Sequence, residues 1–389
     1  MAIKILSVDD ELDLEVLLTQ YFRRQIRKGE YAFTFAHNGL EALQKMLETP
    51  DFDIVLSDIN MPEMDGLTLL GKINELKNPA LKCIMVSAYG DMGNIRSAMN
   101  KGAFDFATKP IDLEDLERSI RKAAEEVTFI RQSVREHTQL ESLKNDLAIA
   151  GEIQQAILPN RFPPFAELAG LVDVYASMTP AKDVGGDFYD LFQIDGGRFG
   201  FVIADVSGKG VPAALFMAVS RTLLRATGLS GATSAECVGY VNRLLCKESL
   251  EAMFVTGIYG IYDCRTGAVD YTNAGHTPPY IIKESGQAEA VAVETNFVMG
   301  VAEDFAYQGG EIRLEPGDAL ALYTDGVTEA FDTQGEQFGR ERLETALREL
   351  AGAEDARSLL QGITGRVAGF SEGRPQSDDL TLMVIKRIQ

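Results

Sequence analysis

Through the first 110 residues the apolar positions come in short runs that stop on polar ones. Residues 3–8 (IKILSV), 32–36 (AFTFA), 53–57 (DIVLS), 82–86 (KCIMV) and 104–108 (FDFAT) have the length and the β-branched or aromatic content of buried strands. The segments between them carry apolar residues at helical spacing, as at Leu40, Leu43 and Leu47. Regular alternation of strand and helix predicts a five-stranded, doubly wound parallel sheet, an α/β domain over residues 1–124.

After Pro110 the period changes. Asp112 is placed to cap a helix whose first turn holds Glu114 and Asp115, and neither proline nor glycine recurs before Gly151. Leu116, Ile120, Ala123, Val127, Ile130, Val134 and His137 follow in steps of four and three, a heptad seam. Leu140, Leu143, Leu147 and Ala150 continue it in a frame displaced by three residues, a stammer. The expectation is a helical coiled-coil linker over 113–158, continuous with the last helix of the first domain and pairing two chains in parallel, with a long amphipathic helix docked on its own chain as the alternative. His137 on that seam reads as a tolerated core histidine.

Beyond about residue 151 the pattern becomes strand, turn and strand. Runs at VDVYASM (172), DFYDLFQI (187), RFGFVIADV (198), VTGIYGIYD (255), AVDYTNA (268), PYIIK (279), GEIRL (310), DALALYTDG (318) and LTLMVIKRI (380) read as strands. Helical patterns fill 211–227, 232–250 and 339–350. Strands joined by glycine-containing turns predict an α+β domain over 159–389, an antiparallel β-sandwich flanked by helices.

Composition narrows the classes. At 389 residues the chain is too long for a single ordinary core. A formal net charge of -21 argues against nucleic acid or an anionic membrane as partner, since both are polyanions. A DNA-binding output also lacks room for a helix-turn-helix. No apolar stretch approaches the roughly 20 residues of a membrane span. The four cysteines form no CxxC pair, and MAIKILSVDDE reaches acids after one short apolar run, so a reducing cytoplasm is the expected location.

The polar residues at strand ends carry the chemistry. In a doubly wound sheet ligands sit beyond the carboxyl ends of the strands, where this sequence has Asp9, Asp10, Asp58, Ser87 and Lys109. Converging carboxylates repel unless a hard cation sits among them, and Mg2+ suits oxygen donors. Asp58 is then the nucleophile for a phosphoryl group, with Asp10 and the Asn60 carbonyl beside the metal, and Ser87 and Lys109 positioned for phosphoryl oxygens. The ordered set VDDE, SDINMPEMDG, VSAYG and FATKP resembles a two-component receiver domain. The resemblance implies that Asp58 is the phospho-acceptor, Asp9 and Asp10 the acidic pair, Ser87 and Phe106 the switch residues, and a histidine kinase the partner. It also implies a cis Lys109–Pro110 bond.

A second acidic set lies in the C-terminal half: Asp187 in VGGDFYD, Asp205 in IADVSGKG, Asp325 in LYTDGVTEA, and Asp378 with Asp379 in SDDLTLM. Acids from distant segments, each beside a glycine or small residue, have the makings of a site for two Mn2+ or Mg2+ ions that activate water against a phosphate. These segments, with the lead-in AGEIQQAILP and NAGHTPP at 273, resemble the bacterial stress and sporulation branch of the PPM serine/threonine phosphatases. The likeness implies that Asp187 holds one metal, that Asp205 bridges both with help from the Val206 carbonyl, and that Asp325 and Asp378 hold the other, with Asp379 beside them. Ser207 stands where many relatives have a histidine, which removes a candidate general acid. His276, near paired prolines, reads as structural; Lys182 and Lys209 could steer a phosphate but read first as solvated surface lysines, and Asp190, Asp195 and Glu329 as ordinary polar positions. The expected function is a response regulator whose Asp58 controls this phosphatase, acting on a phosphorylated anti-sigma factor antagonist in partner switching. The competing expectation is a catalytically silent, receiver-gated adaptor.

Overall fold

A computed structural model describes residues 2–88, 92–162, 164–168, 170–248, 253–292 and 296–389. The chain divides into two units, Met1–Leu143 and Lys144–Gln389. Tyr89 and Gly90 of VSAYG, and the last two residues of the helix expected over 232–250, lie outside the described residues.

The first unit is built on β1 (Ile3–Val8), β2 (Tyr31–Ala36), β3 (Ile54–Asp58), β4 (Lys82–Ala88) and β5 (Asp105–Lys109), in the order β2-β1-β3-β4-β5 and all parallel. Its helices are α1 (Leu12–Tyr21), α2 (Arg23–Arg27), α3 (Gly39–Glu48), α4 (Gly66–Glu75), α5 (Met92–Asn100) and the start of α6 (Leu113–Ile157). Alternate strand residues serve opposite faces. Leu6, Val8, Val55 and Met85 pack with α3 and α4, while Ile5, Ile54, Leu56 and Ile84 pack with α1 and the start of α6. Both faces are buried, which is why the strands read as unbroken apolar runs.

The α6 stripe departs from the coiled-coil expectation over its first half. Leu116, Ile120, Ala123 and Val127 are fully buried, and the first three belong to the same core as Leu14 and Leu18 of α1 and Phe22 just after it. A spacing of four and three suits any apolar partner, and here that partner is the helix's own domain. Further along the stripe Val134, Leu140 and Leu143 are exposed, as is Phe129 beside it. The Asp112 carboxylate accepts from the amides of Glu114 and Asp115 at 2.9 and 3.3 Å, the cap that the sequence predicts.

The second unit is a four-layer α/β/β/α stack. One sheet runs β13-β10-β9-β8-β7, where β7 is Phe188–Gln193, β8 Arg198–Val206, β9 Val255–Asp263, β10 Ala268–Ala274 and β13 Gly310–Arg313. The other runs β12-β11-β14-β15-β6, where β6 is Val172–Thr179, β11 Tyr280–Ile282, β12 Ala288–Ala290, β14 Ala319–Tyr323 and β15 Leu380–Arg387. Every described pairing here is antiparallel. Period-two alternation assigns the faces: Leu320, Leu322, Met383 and Ile385 fill the space between the sheets. Ala319, Ala321, Tyr323, Leu382 and Val384 face α10 (Gly339–Glu349) and α11 (Ala356–Ser371). Helices α7 (Val211–Gly228) and α8 (Ser234–Glu248) cover the first sheet, and the single turn α9 (Asp325–Thr328) follows β14. Helix α11 and the short edge strand β12 were not anticipated, α11 because Gly362, Gly365 and Gly369 dilute its helical signal.

Candidate functional site

In the first unit the parallel register brings the strand ends together. Asp58 pairs with Val86, Ser87 with Thr108 and Ala88 with Lys109, so Asp58, Ser87 and Lys109 end neighbouring strands beside Asp9 and Asp10, which follow β1. Carboxylate oxygens of Asp9, Asp10 and Asp58 lie within 4.8 Å of one another; Asp9 and Asp58 are buried and Asp10 is exposed. The Lys109 ammonium donates to Asp58 at 2.6 Å and to Glu11 at 2.9 Å, and lies 2.9 Å from Asp9. Burial pulls the Lys109 pKa down, but the bonds to Asp58, Glu11 and Asp9 outweigh it and hold the group above the ordinary lysine range. Burial raises Asp9 against the opposing pull of the Glu11 amide and Lys109. Glu11 was not singled out in the sequence, although it is the third acid of the VDDE run.

Ser87 is fully buried, and its hydroxyl finds no hydrogen-bond partner among the described residues. Asn60 donates its amide to Asp58 at 3.3 Å, Phe106 is 37% exposed on β5, and the Lys109–Pro110 bond is cis. Clustered hard oxygen donors with one ammonium beside them fit a divalent cation such as Mg2+.

In the second unit the acids come from four segments. Asp187 precedes β7, Asp205 and Val206 end β8, Asp325 opens α9, and Asp378 and Asp379 precede β15. Pairing of β14 with β15, continued by the Thr324 amide bonding the Thr381 carbonyl at 3.0 Å, sets Asp325 against Asp378 and Asp379. One Asp187 oxygen accepts from the hydroxyls of Thr324 and Thr381 at 2.7 and 2.6 Å. Burial, then the Asp205 charge, pushes Asp187 well above the usual carboxylate range. Burial, then Asp325 and Asp378, raises Asp205 to about 7. Burial and Asp378 raise Asp325. Like charges thus meet in a partly desolvated place, and the donor set fits hard divalent cations. Among the described residues no three of these acids approach as closely as the trio of the first unit.

Asp379 does different work from its neighbour. Its two oxygens accept from the amides of Ala181, Gly186 and Asp187 at 2.8, 2.7 and 3.3 Å, holding the loop that presents Asp187. The glycines of that loop are obligatory by space: a Cβ on Gly185 would sit 2.1 Å from Asp379 Oδ2, and one on Gly186 2.8 Å from the Val206 carbonyl oxygen. Gly326 leaves a Cβ only 1.9 Å from the Asp379 carbonyl oxygen. From the end of α6, the buried Gln154 side chain donates to the Gly185 carbonyl at 2.7 Å and accepts from the Gly185 amide at 3.0 Å. Sequence reasoning missed Gln154, Thr324 and Thr381; the one available signal was a threonine flanking each of the last two acidic motifs.

The remaining polar residues sort by partner. Ser207 accepts from the Phe254 amide at 2.9 Å. His276 is buried, its Nδ1 3.0 Å from the Thr256 hydroxyl, and burial lowers its pKa to about 4. Asp190 is not an ordinary surface position: it is buried and paired with Arg221 and Arg225 at 3.1 and 2.8 Å. Lys209 is more than solvated, donating to Asp378 at 2.8 Å and to the Ser377 carbonyl at 3.0 Å, while Lys182 is exposed.

The family model for response regulator receiver domains matches residues 5–121, and that for Stage II sporulation protein E (SpoIIE) matches residues 195–388. Protein IcfG of Synechocystis sp. is 30% identical over 287 residues, 67% of this chain and 44% of IcfG. Phosphoserine phosphatase RsbU of Bacillus subtilis is 27% identical over 278 residues, 70% of this chain and 81% of RsbU. The chain thus spans less than half of one relative and most of the other. Among solved structures, the SiaA-PP2C domain of Pseudomonas aeruginosa matches with a TM-score of 0.56 at 22% identity, covering 64% of this chain and 98% of that one, a likeness of fold. The chain belongs to the response regulators, its receiver domain joined to a PPM-type phosphatase domain of the SpoIIE branch. No helix among the described residues is long and apolar enough to cross a membrane.

Proposed function

We propose that this protein is a phosphorylation-controlled protein serine/threonine phosphatase of the cytoplasm. A cognate histidine kinase delivers a phosphoryl group to Asp58, and the second unit removes phosphate from a phosphoserine or phosphothreonine of an anti-sigma factor antagonist, altering sigma-factor availability. The observation that carries the reading is the crowding of acids from distant segments: Asp187, Asp205 and Asp325 are all raised, by burial first and then by neighbouring carboxylates that include Asp205, Asp325 and Asp378. RsbU, named a phosphoserine phosphatase, supports the reaction class.

In this reading Asp10, Asp58 and the Asn60 carbonyl hold Mg2+ in the receiver, with Asp9 beside them. Asp187, Asp205, the Val206 carbonyl, Asp325 and Asp378 hold two Mn2+ or Mg2+ ions in the phosphatase, where Asp379 and the hydroxyls of Thr324 and Thr381 fix the ligands. When bound, such ions supply Lewis acidity and lower the pKa of water. Ser87 and Lys109 receive the phosphoryl oxygens on Asp58, and Phe106 responds to them. The change passes along α6, with exposed Val134, Leu140 and Leu143 as the contact surface of a homodimer, and reaches the loop of Asp187 through Gln154 and Gly185.

The test is phosphate release from phosphorylated anti-sigma factor antagonists at varied Mn2+, with and without a beryllofluoride mimic at Asp58. Mn2+-dependent release, lost in Asp205→Ala and changed by beryllofluoride, is the expected result. Wild-type turnover in Asp205→Ala overturns the metal assignment, and equal rates with and without the mimic overturn the coupling.

A further inference from the structure

An acidic centre that must admit a phosphoryl dianion faces an electrostatic problem, because the approaching substrate and the ligand carboxylates share a sign. The chain as a whole worsens it, with a net charge of -21. Two lysines, Lys182 and Lys209, line the same small cavity as Asp205 and Asp378. They differ in what they touch. Lys209 spends its ammonium on Asp378 Oδ2 at 2.8 Å and the Ser377 carbonyl at 3.0 Å, while no ion pair among the described residues involves Lys182.

The turn that carries Lys209 is open. The lysine sits between Gly208 and Gly210, at φ +97 and +77, and a Cβ at either glycine would meet nothing within 4 Å. The ion pair is half exposed, 52% for the lysine side chain and 37% for Asp378, so water readily replaces one partner. Asp378 cannot give the same oxygen at full strength to an ammonium and to a divalent cation.

We propose that Lys209 is a phosphate-binding residue held in reserve on Asp378, released when a divalent cation takes that carboxylate. This rests on the phosphatase reading and adds to it the group that meets the substrate's phosphoryl oxygens. Two couplings follow. Lys209 competes with the first metal for Asp378, and once displaced it strengthens phosphate binding, so that loading the site with metal also arms it for its anionic substrate.

The experiment is calorimetry on the full chain as wild type, Lys209→Met and Lys182→Met. Mn2+ is titrated into metal-free protein, then inorganic phosphate into protein saturated with Mg2+. Lys182→Met removes the same unit charge from the same cavity and controls for the general field. Lys209→Met is expected to bind Mn2+ about three- to fivefold tighter than wild type, the size of a half-exposed pair. It is expected to bind phosphate about tenfold more weakly, the size of one charge-assisted hydrogen bond. Lys182→Met is expected to shift Mn2+ affinity by less than about twofold, a field effect without a bonded pair. Equal shifts in the two variants, no shift in Lys209→Met, or unchanged phosphate affinity would each overturn the proposal. A wild-type chain that takes up no Mn2+ overturns the phosphatase reading itself, an outcome distinct from all three.

Discussion

His276 separates a structural histidine from a catalytic one by the pH dependence of stability. Burial lowers its pKa from 6.5 to about 4, against a weaker opposing pull from the Tyr323 carbonyl. Because the folded pKa is depressed, the unfolded chain takes up a proton first. The stabilisation is complete above pH 6.5 and is lost as pH falls through 6.5 toward 4. With those limits a single site forfeits about 2 kcal/mol between pH 8 and pH 5. Asn at this position keeps a short polar side chain, and the backbone bonds of His276 with the Asn273 side chain at 2.7 and 3.0 Å are untouched. Urea unfolding in EDTA, followed by tyrosine fluorescence since the chain has no tryptophan, gives the stability of wild type and His276→Asn at both pH values. Wild type is expected to lose about 2 kcal/mol more than the variant over this interval, other titrating groups cancelling in the comparison. Parallel losses would refute the claim that this imidazole is kept neutral by burial.

Other outcomes test the acidic centre directly. Asp205, with a pKa of about 7, holds a proton at pH 6 that a cation must displace. Mn2+ affinity is therefore expected to fall about tenfold per pH unit below 7, with proton release seen by calorimetry in buffers of different ionisation enthalpy; flat affinity between pH 5 and 7 contradicts it. Thr381→Val removes one of the two hydroxyls that fix Asp187 and is expected to weaken Mn2+ binding by about tenfold or more while the chain stays folded by circular dichroism. Gly185→Ala places a methyl 2.1 Å from Asp379 Oδ2, so a stability loss of about 2 kcal/mol or more and lost Mn2+ uptake are expected; a wild-type melting curve would show that the loop moves freely.

What the sequence made legible follows from how local each signal is. A strand of five residues ending on Asp58 is visible because the apolar run and the acid are adjacent in the chain. The same adjacency exposed Asp205 near the end of β8 and Asp325 two residues past β14. Long-range partners leave no such trace. Nothing next to Gln154 announces that it will bond both backbone groups of Gly185, 31 positions away. The stripe on α6 misled for a related reason: its spacing records that an apolar surface is needed, while the identity of that surface, here the receiver's own core for Leu116 to Ala123, is set by the fold.

The lysines of the two acidic centres differ in how firmly each is held. Lys109 is 21% exposed and lies within 2.9 Å of three carboxylates, Asp58, Asp9 and Glu11. Lys209 is 52% exposed and bonds one, Asp378. Three partners in partial burial fix a charge in place, because breaking any one bond leaves the other two. A single exposed pair contributes about 1 kcal/mol or less and exchanges with water. A fixed lysine at a strand end is part of the scaffold, so its position relative to the aspartates is carried by the register. A displaceable lysine on a glycine-flanked loop has a role only in relation to what binds. Its function is therefore to be sought in the difference between the metal-free and metal-loaded protein.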